Sequence, residues 1–430
     1  MDDPCNPFSQ QKESDIAMAT NTPWKTDNWF VGEWNYLEEV TKGFTPPKQV
    51  RIHDITLRDG EQQAGVTFTK DDKIRIAEKL AEVGVHRIEA GMPAVSPNDE
   101  AAIREIVKRK LGPEIFSFAR CMAEDVKRSA DCGVDGVCLE IPSSGHLIER
   151  AYKWPLDKAV DLSIQATLAA KEAGLYTVFF TIDATRADMT WLLNLVEKVA
   201  TEGHMDALAL VDTFGVLSPH GASYFTRKVK ERIKKPLEIH FHADFGMAVA
   251  NTIMAVVGGA EVIHSTVTGI GERAGNTPME ETVMALLTLY GIDVGIKYDK
   301  LNELSKMVID MSGTKIADNR PFIGDGAYDI ESGIITSWFR NTFEQYPTQI
   351  YPVRPDFVGH RAPQILMGKK SGIDNVAIWA ERAGISLDAD ETMDALIQIK
   401  QLAHDQKRPL TEDEFKTIAL AVKDKKVSTV

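Results

Sequence analysis

The chain has 430 residues, of which 43% are hydrophobic and 26% charged, with a formal net charge of -14; this is the balance of a water-soluble globular protein, long enough for one large α/β barrel with appendages. The acidic surplus argues against nonspecific nucleic-acid or anionic-membrane binding, and no apolar run is long enough to span a bilayer. The start, MDDPCNPFSQQKES, lacks the basic head and apolar core of a secretory signal, and the four cysteines (Cys5, Cys121, Cys132, Cys138) form no CxxC pair, so a reduced cytoplasmic setting without a structural zinc knuckle is expected.

Residues 1–48 read as an N-terminal arm. Its first 20 residues suit a leader, whereas Trp24, Trp29, Phe30, Trp34 and Tyr36 are too many aromatics to leave in water and are expected to dock on the chain's own barrel or on a second subunit. From Gln49 short β-rich runs alternate with longer helical patterns. They begin with VRIHDITL and KDDKIRIAEKLAEVG and end with AEVIHSTV and PMEETVMALLTLYG, eight strand-helix units in all. Gly84, Gly133, Gly174 and Gly291 follow helical runs, as left-handed caps do. Eight such units most simply close into a parallel (β/α)8 barrel, expected over residues 49–295. An open doubly wound sheet would want a glycine-rich phosphate loop after an early strand, and none is present. A linker or lid is expected over 296–375 and a small helical subdomain over 376–430, where TMDALIQIKQLAHDQ and TEDEFKTIALAVKDK are amphipathic.

In such a barrel, chemistry sits at the C-terminal ends of the strands. Those ends carry Arg58, Asp59 and Gln62 after strand one, Glu89 in strand two, Arg120 after strand three and Glu140 in strand four. Asp183 follows strand five, Asp212 and Thr213 follow strand six, and the loop after strand eight reads GIGERAGN with Asn276 at its end. Strand seven contains Ile239-His240-Phe241-His242. Residues two apart on a strand point the same way, so both imidazoles share one side, a pairing that suits one divalent cation; the plainer reading is two half-buried histidines. Closure makes strand eight the neighbour of strands one and seven. Asp59, His240, His242 and the Asn276 loop then converge on one side of the mouth, a mixed nitrogen and oxygen donor set with room for substrate oxygens.

With LRDGEQ, HxHxD and GxGERAGN in place, the chain resembles the metal-dependent acyltransferase and lyase superfamily of isopropylmalate synthase, homocitrate synthase and hydroxymethylglutaryl-CoA lyase. The likeness runs from about residue 50 to about residue 375, and IEAGMPAVSPND, DATRAD, DTFGVLSP and ILMGKKSG resemble the synthase branch. It implies a divalent cation (zinc, magnesium or manganese) held by Asp59, His240, His242 and Asn276, with Arg58 polarising a keto oxygen. It also implies a small 2-oxo or 2-hydroxy acid and an acyl-CoA as partners, and a homodimer or larger homo-oligomer. Carbon-carbon bond formation is the leading expectation; aldol-type cleavage, or a non-catalytic cation-binding relative, are the alternatives. Arg58 could instead only pair with Glu89 or Glu140. Gln62, Arg120 and Thr213 are placed toward substrate, against an ion pair at the rim for Arg120 and a turn cap for Thr213. Cys121 reads as a buried small residue. No domain of the kind that binds leucine in the long synthases is expected.

Three departures from the synthase pattern stand out. The glutamate expected before Asp183 is Ile182, Ala243-Asp244 follow His242, and the segment Glu331-Ser332-Gly333-Ile334-Ile335 puts isoleucine where the resemblance implies an acid/base histidine, with Ile330 at the upstream position. Isoleucine cannot transfer a proton. Tyr328, Asp329, Glu331, His360, Glu89 and Glu140 are the candidates to replace it.

Overall fold

The computed structural model of the chain describes residues 22–427, so the leader expected over residues 1–20, with Cys5, lies outside the described residues. Eight parallel strands close into a barrel in sequence order: β1 (Arg51–Asp54), β2 (Arg87–Glu89), β3 (Glu114–Arg120), β4 (Gly136–Pro142), β5 (Tyr176–Ile182), β6 (Ala207–Asp212), β7 (Leu237–Phe241) and β8 (Val262–Ser265). Closure runs through β8 and β1, with Arg51 opposite Val262 and Asp54 opposite Ser265. A helix follows each strand: α1 (Lys70–Val83), α2 (Pro97–Arg109), α3 (Ala123–Cys132), α4 (Leu156–Glu172), α5 (Met189–Glu202), α6 (Pro219–Arg232), α7 (Ala248–Val256) and α8 (Met279–Tyr290). This is the (β/α)8 architecture expected from the sequence.

Local chemistry sets the element ends. Thr69 caps α1 in a reciprocal box with Asp72, Ser96 caps α2 ahead of Pro97, and Gly84 and Gly133 end α1 and α3 in the left-handed conformation, as their missing Cβ allows. Covered on both faces, the strands are nearly all apolar: YTVFFTI in β5 and ALALVD in β6. Alternate residues fill the interior, where Phe116, Phe118, Cys138, Val178, Phe180, Ala207, Ala209 and Val211 form one cluster. Beside it lies a charged layer. Arg87 Nη1 donates to Glu238 Oε1 at 2.6 Å, His264 Nε2 lies 2.7 Å from Glu238 Oε2, and the fully buried His53 has no hydrogen-bond partner for either ring nitrogen.

The chain divides into two compact units at Gly32/Glu33 and Ile316/Ala317. In the barrel unit, the Tyr36 hydroxyl donates to the Thr288 carbonyl at 2.6 Å. Residues 296–316, expected at the head of the linker, also pack here, because α9 (Leu301–Ser312) buries Leu301, Leu304 and Val308 completely. In the second unit the arm's Trp29 meets Phe357 edge to face at 5.8 Å, and the Phe30 amide donates to the Pro352 carbonyl at 2.9 Å. The aromatics of the arm are thus shared between the two units. Helices α10 (Gly333–Thr342), α11 (Ile373–Ala383), α12 (Ala389–Gln406) and α13 (Glu412–Val427) belong to the second unit, around a core that includes Met367, Val376, Ile399 and Phe415. Among the described residues no helix is long and apolar enough to cross a membrane, and Cys121, Cys132 and Cys138 are free and buried.

The interior leaves no room for one more carbon at Gly136, where a Cβ would lie 2.4 Å from the Phe116 ring. Gly136→Ala is expected to cost about 1–3 kcal/mol through overpacking, read as a lower midpoint in thermal unfolding; an unchanged midpoint would contradict this packing.

Candidate metal centre at the barrel mouth

The site begins where β1 ends. The amides of Arg58 and Asp59 both donate to the Ile55 carbonyl, at 3.1 and 2.9 Å, a tight turn that leaves both side chains 6% exposed or less. His240 on β7 and His242 just past its end share the inward parity of Glu238. The loop after β8 is laced to the end of β7: His242 and Asn276 form a backbone bridge, Ala243 N–H donates to Gly275 O at 3.0 Å, and Thr277 N–H to Phe241 O at 3.1 Å. Two glycines of GIGERAGN make that approach possible. Gly275 sits at φ +89°, and a Cβ there would lie 2.1 Å from the Gly269 carbonyl; Gly271 sits at φ +158°, and a Cβ there would lie 2.1 Å from Asn276 Nδ2.

The converging atoms have the spacing of a cation site. His240 Nε2 and His242 Nε2 are 3.2 Å apart, and His240 Nε2 is 3.3 Å from Asp59 Oδ2. Ligands about 2.1 Å from one ion lie roughly 3.0–3.4 Å from each other, so Asp59, His240 and His242, all buried, can hold a metal ion. Asn276 enters differently from the other three residues expected to bind it. Its Nδ2 donates to Asp59 Oδ1 at 2.7 Å, and its Oδ1 is buried without a hydrogen-bond partner. Electrostatics favour the charge states a cation needs. Burial lowers the His240 pKa to about 3 and lowers that of His242, which leaves both rings neutral with lone pairs to give. Burial opposes charge on Asp59, but Arg58 and His240 outweigh it and hold the carboxyl well below its usual range.

Arg58 is the second organising group. Its Nη1 donates to Asp59 Oδ2 at 2.6 Å, its Nε donates to Glu89, and its Cζ rests 3.8 Å from the centre of the Phe118 ring. Burial works against its charge, yet the Glu89 and Asp59 carboxylates raise its pKa above the ordinary value. Its Nη2 is buried with no hydrogen-bond partner. Glu89 is fully buried; burial opposes its charge, and Arg58 nevertheless keeps its pKa low. The ion pair weighed as the plain reading of Arg58 is therefore present, and one donor is left over.

The other expected residues are spread around the rim. Gln62 is exposed, with its Oε1 3.4 Å from Arg58 Nη1. The Arg120 side chain is 52% exposed and pairs with Asp125 at 2.6 Å. The Thr213 hydroxyl accepts the Asp183 N–H at 2.8 Å, a bond to the end of β5 and not within its own turn. Glu140 lies on β4 between Arg120 and Phe180 of the neighbouring strands. Asp183, placed by the sequence after strand five, gathers partners the sequence did not single out: at φ +60°, it accepts from Ser144 Oγ at 2.5 Å and Arg186 Nε at 2.7 Å, and His146 Nε2 lies 3.2 Å away. The signals for it were DATRAD after strand five and a lone histidine in the loop after strand four.

The HMGL-like family profile matches residues 49–308, the span of the barrel. Among curated proteins, the (R)-citramalate synthase of Methanocaldococcus jannaschii is 39% identical over 349 residues, 81% of this chain and 70% of that protein. The homocitrate synthase of the same organism is 36% identical over 373 residues, 86% of this chain and 90% of that protein. Among solved structures, the hydroxymethylglutaryl-CoA lyase of Pseudomonas aeruginosa superposes with a TM-score of 0.56 at 21% identity, covering 63% of this chain and 95% of that one; that likeness speaks to the fold alone. If Asp59 is a ligand and Asn276 its support, Asp59→Ala should abolish binding of the cation while Asn276→Ala weakens it about 10–100-fold. Elemental analysis and zinc titration check both, and equal retention in Asp59→Ala would remove the carboxylate from the site.

Proposed function

The chain belongs to the HMGL-like family, and on that premise we propose that it condenses an acyl-CoA with a 2-oxo acid at a divalent cation, as an acyltransferase of the alkylmalate-synthase type. The observation that carries this reading is the one mouth-facing assembly in which two neutral imidazoles and an ionised carboxylate adjoin a guanidinium with a buried, unpartnered Nη2. The synthase relatives support the same direction. A bound zinc, magnesium or manganese ion supplies Lewis-acid polarisation of a carbonyl.

The chain's own residues divide the remaining work. Asp59, His240 and His242 hold the cation, and Asn276 orients the Asp59 carboxylate by donating from Nδ2 to Asp59 Oδ1. Arg58 presents Nη2 to the keto oxygen and stabilises the negative charge that builds there as that oxygen becomes an alkoxide. Glu89 stands behind Arg58, fixing the guanidinium by its Nε, while Phe118 beneath it keeps water from that face. Arg120 at the rim meets a distal carboxylate or the polar end of the donor, and Gln62, near Arg58, lines the approach. In the net reaction the donor's α-carbon bonds to the keto carbon, and water then cleaves the thioester to free the thiol. The same reading takes a homo-oligomer as the working form and the cytoplasm as its place.

Purified protein with zinc, magnesium or manganese, acetyl-CoA or longer acyl-CoAs, and a panel of 2-oxo acids is expected to release free thiol. Arg58→Lys keeps a charge but loses the fork, and should lower kcat/KM about 100-fold or more with the bound cation retained. Cleavage of 2-hydroxy diacids with no CoA dependence, or thiol release from no pair in the panel, would overturn the proposal.

A further inference from the structure

The condensation needs a proton acceptor, and the two positions at which the resemblance implies acid/base residues are Ile182 and Ile335. The groups in the second unit that were candidates to replace them are engaged. Both oxygens of Asp329 bind Arg361 at 2.7 Å, Glu331 Oε1 accepts the Lys370 N–H at 3.0 Å, and the His360 ring nitrogens lie 3.1 and 3.0 Å from the carbonyls of Arg361 and Gly324. Tyr328 is buried, which raises its pKa far above the ordinary value.

Inside the barrel the inward-facing glutamates are Glu89, Glu114, Glu140 and Glu238. Three of them are salt-bridged: Glu89 to Arg58, Glu114 to Arg87 at 2.8 Å and Glu238 to Arg87 at 2.6 Å. The Glu140 carboxylate makes no hydrogen bond or salt bridge with any of the described residues, although its backbone carbonyl accepts the Cys121 N–H at 3.1 Å. It has the inward parity of Cys138, a member of the cluster with Phe116, Phe118 and Phe180, and it pairs across the sheet with Arg120 on one side and Phe180 on the other. Phe118 and Phe180 are the two rings nearest the Arg58 guanidinium, at 3.8 and 5.7 Å. Glu140 is half-buried, so its carboxylate reaches the mouth without being solvated there as freely as a surface acid.

We propose that Glu140 is the proton acceptor of the reaction, removing a proton from the α-carbon of the acyl thioester. This rests on the condensation reading above. The α C–H bond breaks and its electron pair enters the thioester enolate. The proton stays on a Glu140 oxygen, and the enolate carbon then bonds to the keto carbon while that carbonyl's π pair moves to its oxygen beside Arg58. The surroundings suit the task. Burial raises the Glu140 pKa to about 7, against the pull of Arg58 and Arg120; Asp125 and Glu89 reinforce the rise, and Cys121 and Tyr152 are further titratable neighbours. A base serves best when its pKa lies near the working pH.

The test compares cation-loaded wild type, Glu140→Gln and Glu140→Asp with acetyl-CoA and 2-oxo acids in D2O. Deuterium entry into the acetyl group is followed by NMR, free thiol by a chromogenic reagent, the cation by elemental analysis and pyruvate binding by calorimetry. Glu140→Gln is expected to lose about 100-fold or more in both exchange and thiol release, with cation content and pyruvate binding within about two-fold of wild type, and Glu140→Asp to recover part of the loss. Undiminished exchange and thiol release in Glu140→Gln would overturn the assignment and leave the condensation reading standing. Thiol release by no protein, wild type included, would overturn that reading and this assignment with it.

Discussion

Asp59 uses both carboxylate oxygens to tie three parts of the chain together. Oδ1 takes the amide of Asn276 from the loop after β8, and Oδ2 takes Arg58 from its own turn and faces His240 on β7. A buried carboxylate is costly unless charge and hydrogen bonds surround it, and here its partners come from the first, seventh and eighth strand-helix units. The glycines at 271 and 275, the bridge from His242 to Asn276 and the turn over Ile55 all serve that meeting. Arg58 extends it inward to Glu89 and sideways onto Phe118, so cation site and guanidinium form one assembly.

Beyond it the interior stays polar. His53, Glu238 and His264 also have ligand-like spacing, but Glu238 already holds Arg87 at 2.6 Å. The neighbouring acid, Glu89, 3.9 Å from His53, is likewise held by a guanidinium, that of Arg58, so the cluster reads as a buried, charge-balanced filler of the barrel. Phe116 packs against His53 at 5.0 Å and under Arg87 at 4.7 Å, giving those groups an aromatic wall in place of water.

Much of this was legible in the sequence. The alternation of β-rich and helical runs located all eight strands, because each is largely buried on both faces and several helices carry caps, as at Thr69, Ser96, Gly84 and Gly133. The two-residue period placed His240 and His242 on one side, and barrel closure brought Asp59 to them. What periodicity could not supply was pairing. Parity puts Glu89, Glu140 and Glu238 all inside, but which one finds a cation depends on the stagger of the strands, and that stagger leaves Glu140 between Arg120 and Phe180. Arg120 finds Asp125 and Thr213 finds the Asp183 amide, partners that no local pattern specified. Asn276 presents its nitrogen to Asp59 and leaves Oδ1 buried without a hydrogen-bond partner, an orientation that no local pattern specifies. The arm's division between two units follows from contacts more than 200 residues apart in sequence, such as Tyr36 with Thr288, which no local pattern encodes.

The account stands or falls on one buried cation at the end of β7. Anomalous diffraction from crystals of the manganese-loaded protein measures this directly. The expected result is a single strong peak about 2.1 Å from Asp59 Oδ2 and from Nε2 of both His240 and His242, with Arg58 Nη2 facing the open side. A map with no peak among those three side chains, or with the only peak elsewhere in the barrel, would contradict it.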